Sequence, residues 1–198
     1  VSPFTSNVMA MDSVLGIGLH FYLGSDYKYY PSLQLPQYMI KKFRREYIIP
    51  DAVRGWIDSE YSTDSSYKDF LHQMVYEGKL LYAADVLIPD LDDTLKIGYS
   101  AAQLNWAYAN ESKIWSAFIG EQIIYSRNPG MYMKFINDGN GTSGFPKEAP
   151  AKLGAFIGWQ IVRSYMKNNK TVTVSDLFKN TDAQSILSKS GYKPLKAS

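Results

Sequence analysis

The 198 residues contain no cysteine. That excludes disulfide frameworks, thiolate catalysis and Cys-ligated zinc. Histidine is nearly absent as well, with only His20 and His72, so a three-histidine metal site is impossible and a His-based catalytic triad has few candidates. A large excess of charge of either sign is missing too. The formal net charge is +2, without the clustered basic face that nucleic-acid binding requires, so no nucleic-acid partner is expected. The apolar runs are far shorter than the ~20 residues needed to span a bilayer. Gly16-Ile17-Gly18 opens no helix and is no phosphate loop, and neither Gly-x-Ser-x-Gly nor His-Glu-x-x-His occurs. The chain opens at Val1 without a basic and apolar leader, which reads as a trimmed or mature fragment.

Aromatic residues are what the chain has in plenty, with 16 Tyr, 9 Phe and 4 Trp. Two readings follow: core and half-buried surface, or an aromatic-lined cleft that binds a ligand. The aromatics fall at helical spacing and not in one cluster, which favours packing.

Along the chain, Val8 to Leu23 reads as extended, interrupted by Gly16 and Gly18. Ser25 to Pro31 reads as a polar, tyrosine-rich loop. Helical period begins after Pro36, and Pro50-Asp51 is expected to end one helix and start the next. Ser65 or Ser66 is expected to cap a long helix whose stripe runs Phe70, Leu71, Met74, Val75, Gly78, Leu81, Tyr82 and Val86. Residues 90–99 read as an acidic loop. Ser100 and Gln103 form a capping box ahead of one long helix reaching Ile123. A turn at Asn128-Pro129-Gly130 precedes a short helix from Met131, and 137–150 is the longest loop signal. Leu153 to Met166 is helical, with Gly154 and Gly158 positioned to admit a neighbouring helix. Ser175 is expected to cap a short helix, and Asp182 to Ser190 a last one, stopped by Gly191. The sum is α+β and predominantly α-helical: one domain with a short N-terminal extended segment.

Few groups could carry chemistry. His72 and Glu77 share a helix, but five residues are about 500° of rotation, which sets them about 140° apart. Glu77 and Glu111 each interrupt an apolar stripe, where a carboxylate is costly unless paired or hydrogen-bonded. A buried ion pair (Arg163, Arg45 and Lys79 are available) or a tyrosine hydrogen bond is the plainer account, and a carboxylate from an enzyme site the sharper one. His72, Glu111, Arg163 and Tyr165 are the candidates for a polar core or cleft.

Several stretches together resemble the gliding-motility lipoprotein GldB family. They are Tyr22 to Asp26 with Tyr30-Pro31, Leu35 to Tyr38, Met74 to Tyr82 with Leu87-Ile88-Pro89, Asn110 to Trp115, Gly158 to Met166, and Ala183 to Leu187 with Tyr192-Lys193-Pro194. The resemblance implies a Bacteroidetes-type lipoprotein of the cell envelope, facing the periplasm. Its membrane contact would be only through an upstream lipidated cysteine absent from this chain, and its partners would be envelope proteins of motility or secretion. It implies no enzymatic activity and no cofactor.

A more distant resemblance is to predicted zinc proteases of the His-Glu-x-x-His type, which would make the helical domain zincin-like. Arg45-Glu46-Tyr47-Ile48-Ile49 stands where that motif would stand, and Glu77 where the third ligand would. Arg45 and Ile49 replace both histidines, and neither can ligate zinc. On that resemblance Arg45, Glu46, Ile49 and Glu77 are a vestigial site, Arg45 is expected to pair with Glu77, and the chain is a non-catalytic scaffold. Two alternatives stand beside it: a zinc-dependent hydrolase with a rearranged site at Glu46, Glu77 and His72, and a ligand-binding module using the aromatic residues.

Overall fold

A computed structural model describes residues 7–11, 13–61 and 69–194. It is predominantly helical, with one short two-stranded antiparallel sheet. The contacts gather into two compact units: the described residues of Val1–Ser62 with Ala83–Gly98, and those of Thr63–Tyr82 with Tyr99–Ser198.

In the first unit, the expected extended run is a hairpin followed by a 3-10 turn. Strand β1 (Val8–Met11) pairs with β2 (Val14–Ile17), placing Val8 opposite Ile17 and Met11 opposite Val14. Leu19–Phe21 then coils into a 3-10 turn. The tyrosine-rich stretch is a largely exposed run of turns, as expected, but Tyr30 at its end belongs to the core. Tyr30 is buried; its hydroxyl donates to the His20 carbonyl at 2.7 Å and accepts from the Leu23 amide at 3.1 Å. Phe43 sits edge-on to Phe21 and Tyr30, with Tyr22, Ile40 and Tyr47 completing the cluster.

Helix α1 (Gln37–Ile40) leads through a 3-10 turn, Arg45–Tyr47, into α2 (Ile48–Tyr61). Pro50 therefore does not separate two helices. It lies in the first turn of α2, where a missing N–H costs no bond within the helix. The Asp51 carboxylate accepts from the Tyr22 hydroxyl at 2.9 Å and the Asn7 amide at 2.8 Å, tying α2 to the N-terminal segments. Burial and the Asp51 charge push the Tyr22 phenol well up. Helix α3 (Phe70–Leu87) contributes its last residues to this unit, followed by α4 (Asp93–Ile97), a turn of helix inside the expected acidic loop. Lys96 spans Asp85 and Asp93 at 3.0 and 3.1 Å, and Gly98 ends α4 at φ 79°. Val86, expected in the stripe of α3, is exposed.

The second unit is built on α8 (Leu153–Asn168), whose first seven residues are all buried. Ser65 and Ser66 lie outside the described residues, and Asp69 caps α3: its carboxylate accepts from the His72 amide at 3.0 Å. The glycines of α8 serve as the spacing predicts. A Cβ on Gly158 would fall on the Met74 carbonyl, and one on Gly78 on the Gly158 carbonyl, so α3 and α8 touch backbone to backbone. Phe70, Phe118, Tyr132 and Phe135 stack around Gly154.

The expected single helix from Ser100 to Ile123 is two. The capping box of Ser100 and Gln103 starts α5 (Ala101–Ala109), and α6 (Glu111–Gly120) follows a break at Asn110. The Asn110 side chain donates to the Trp106 carbonyl at 2.9 Å, competing with the helical ladder. Helix α7 (Pro129–Ile136) starts at Pro129, not Met131, with Asn128 as its cap. Thr173, not Ser175, caps α9 (Val174–Lys179), in a box with Asp176. Asp182 and Gly191 bound α10 (Ala183–Ser190) as expected.

Candidate functional site

Arg45 and Glu46 lie in the 3-10 turn ahead of α2 and are exposed, as is Ile49 in the first turn of the helix. In an α-helix, positions four apart diverge by only about 40°. A 3-10 turn winds more tightly, so Arg45 and Ile49 fan further apart than two ligands of a His-Glu-x-x-His helix would. Glu77 is half-buried on α3 and belongs to the second unit, whereas Arg45 and Glu46 belong to the first.

His72 is committed locally. Its Nδ1 lies 2.7 Å from the same Asp69 oxygen that caps α3, so one carboxylate fixes both the helix start and the imidazole. The neighbouring Tyr132 phenol is pushed up, mainly by burial and then by the Asp69 charge.

Glu111 is buried at the start of α6, and of the two plain accounts open to it the tyrosine bond holds. The Tyr192 hydroxyl donates to Oε1 at 2.7 Å, while the Tyr192 ring stands edge-on to Trp115. Burial raises the Glu111 carboxyl above its ordinary value, against the lowering effect of that bond. The Tyr192 phenol is pushed up strongly by burial and by the facing carboxylate.

Arg163 lays its guanidinium 3.6 Å from the centre of the Trp159 ring and donates to the Tyr108 hydroxyl at 3.2 Å. Tyr165 is buried, and its carbonyl receives the Asn169 side chain at 2.8 Å. Lys79 is 5% exposed, and its ammonium donates to the Asn180 carbonyl at 2.6 Å; burial lowers it to about 8. His72, Glu111, Arg163 and Tyr165 thus each have partners of their own among the described residues. Asp69 and Tyr192, which hold two of these groups in place, carry no signal at the level of sequence periodicity.

Among the described residues no three His, Asp or Glu side chains are grouped to hold a metal ion. No helix among them is long and apolar enough to cross a membrane.

The profile of the family described as gliding motility protein GldB matches residues 1–194. The chain belongs to the GldB family. Comparison with curated proteins and with solved structures returned no match. GldB membership covers nearly the whole chain and makes it a gliding-motility type of lipoprotein, a class consistent with the cell envelope.

Proposed function

We propose that this GldB protein works without catalysis, as an interaction component of gliding motility or its associated secretion machinery, on a helical frame of zinc-peptidase type that has lost its metal ligands. It faces the periplasm, and its partners are envelope proteins. The observation that carries the reading is the state of the polar groups. His72 is used to start α3, Glu111 to hold the C-terminal segment, and Arg163 to pack on Trp159. A general acid or base needs a side chain within reach of substrate and able to exchange its proton. Arg45 and Ile49, where the distantly resembled zinc proteases would carry histidines, offer a permanent cation and a hydrocarbon.

The test is metal analysis of the purified chain combined with an assay on a broad peptide mixture. The expected result is no stoichiometric zinc and no turnover. Tight zinc at one per chain, with cleavage lost in Glu77→Gln, overturns the proposal.

A further inference from the structure

The hairpin of the first unit is apolar on both faces. Val8, Ala10, Leu15 and Ile17 share one face, and Gly55 of α2 lies directly under Val8. On the other face Met9, Met11 and Val14 are 52%, 61% and 64% exposed. An antiparallel sheet with one solvated face alternates apolar with polar residues, whereas strands covered on both faces are continuously apolar. This hairpin has the second pattern and, among the described residues, one cover.

Its outer edge is also unpaired among the described residues. The bond from the Gly18 amide to the Asn7 carbonyl fixes which pairs in the ladder are hydrogen-bonded. In that register the N–H and C=O groups of Leu15 and Ile17 point away from β1. They meet no hydrogen-bonding partner among the described residues. Natural edge strands are guarded by charges, prolines or bulges. Here no Lys, Arg, Asp, Glu or Pro occurs from Ser13 to Ser25.

Beside this edge lies a groove of about 380 Å³ between the hairpin tip and the end of α2. Met11, Val14, Leu15 and Trp56 form its apolar walls, and Ser59 and Glu60 close one end. Trp56 and Glu60 are four residues apart, on one face of α2. No cation pairs with Glu60 among the described residues. An aromatic ring followed by a carboxylate suits the hydrocarbon stem and charged head of a lysine or arginine.

We propose that the β2 edge is a strand-addition site for a segment of a partner protein that is extended, alternately apolar, and basic at the end that enters the Trp56–Glu60 groove. Main-chain bonds to Leu15 and Ile17 supply the affinity, and the groove supplies the choice of sequence. Charge decides against the other occupants. The β2 segment of a second copy, without Lys or Arg from Ser13 to Ser25, has no cation of its own to offer Glu60. A lipid surface offers no strand to satisfy Leu15 and Ile17. The inference gives a partner chemistry to the interaction role proposed above, but it stands on the hairpin and not on the missing metal ligands.

The experiment selects from a random nine-residue display library against the purified chain and synthesises the enriched peptides. Enriched sequences should alternate apolar residues and carry Lys or Arg at one end. Binding should shift the Leu15 and Ile17 amides and the Trp56 indole in NMR spectra. N-methylation of alternate peptide amides should weaken binding at least tenfold. Glu60→Lys, at an exposed position with an unchanged melting temperature, should weaken it at least tenfold, and selection on that variant should return an acidic residue instead. Binding indifferent to N-methylation or to the Glu60 charge overturns the proposal. So does concentration-dependent self-association through β2, or flotation of the chain with phosphatidylglycerol vesicles through the same residues. Mass spectra of recovered peptides keep the two readings apart: peptides bound but cleaved sink the non-catalytic reading alone, and peptides never bound sink this one alone.

Discussion

The two units differ in where they put their large apolar side chains. Among the described residues, twelve of the fifteen exposed large apolar side chains belong to the first unit. Of the twelve largest fully buried ones, ten belong to the second, with only Tyr30 and Ile97 in the first. The second unit has an interior: α8 is ringed by helices and reaches backbone contact with α3. The first has a small aromatic cluster and a wide apolar exterior on its hairpin and α2. Scattered exposed apolar residues need no explanation, but a contiguous patch marks a surface meant to be covered. One unit thus concentrates apolar burial and the other apolar exposure.

The strongest way to break that contrast is at the α3–α8 crossing. Gly158→Ala places a methyl group on the Met74 carbonyl, and backbone cannot step aside as a side chain can. The expected loss is about 3 kcal/mol or more, read as a lowered midpoint in urea unfolding. Gly120→Ala is the control, because a Cβ there meets nothing within 4 Å. Gly16→Ala in the hairpin meets only the Met9 carbonyl at 3.5 Å, an ordinary contact, and should cost under about 1 kcal/mol. If the two sites cost the same, the second unit is not the rigid one.

A smaller effect sits at Glu111. Tyr192→Phe leaves a buried carboxylate without its donor and should cost about 1–3 kcal/mol. Glu111→Gln keeps an acceptor for the Tyr192 hydroxyl and removes the charge, so its stability at pH 7 should stay within about 1 kcal/mol of the parent or exceed it. The pH dependence separates the two accounts. The folded carboxyl binds its proton more tightly than the unfolded one, so its contribution is fully present below the unfolded value of 4.5 and is lost as pH rises through the raised folded value. Thermal melts of the parent should lose this increment above pH 4.5, and those of Glu111→Gln should not.

Lys79 runs the other way. Its folded value, about 8, lies below the ordinary 10.5, because burial disfavours the ammonium. Its contribution is present above 10.5 and is lost as pH falls through about 8. Lys79→Met removes that slope. Between pH 8 and 10 the stability gap between parent and variant should close in the parent's favour, by about 2 kcal/mol at the 1.36 kcal/mol that one pKa unit represents. A gap that stays constant across that range would show that Lys79 titrates normally.

Local rules explain what could be read in the chain and what could not. The Ser100–Gln103 box, the Asp182 cap with its Gly191 stop, and the glycines of α8 follow from chemistry within a few residues, and the structure has them. The break at Asn110 was invisible because the apolar period of Leu104 and Ala107 continues through Ile114 and Phe118; only a side-chain bond to Trp106 divides the helix. Glu111 was legible as a buried carboxylate, but Tyr192 is 81 residues away, and no periodicity links them. The loop at Ser25 to Pro31 is legible but the burial of Tyr30 is not, because its neighbours Lys28 and Tyr29 are exposed and its hydroxyl is satisfied by backbone several residues away.

The smallest expected effect tests the first unit's exterior. Met11→Thr on the outer hairpin face removes an apolar side chain that is 61% exposed and leaves a β-branched residue that suits a strand. Because little of that surface is withdrawn from water on folding, the stability of the isolated chain should move by no more than about 0.5 kcal/mol in either direction. The same change made in the second unit, Met74→Thr, empties a fully buried position and should cost about 2–5 kcal/mol. Solubility should part them the opposite way: Met11→Thr shrinks an exposed apolar patch and should raise the concentration at which light scattering first detects association. A large stability loss from Met11→Thr would mean that the outer face is already covered within the chain, and the contrast between the two units would fall with it.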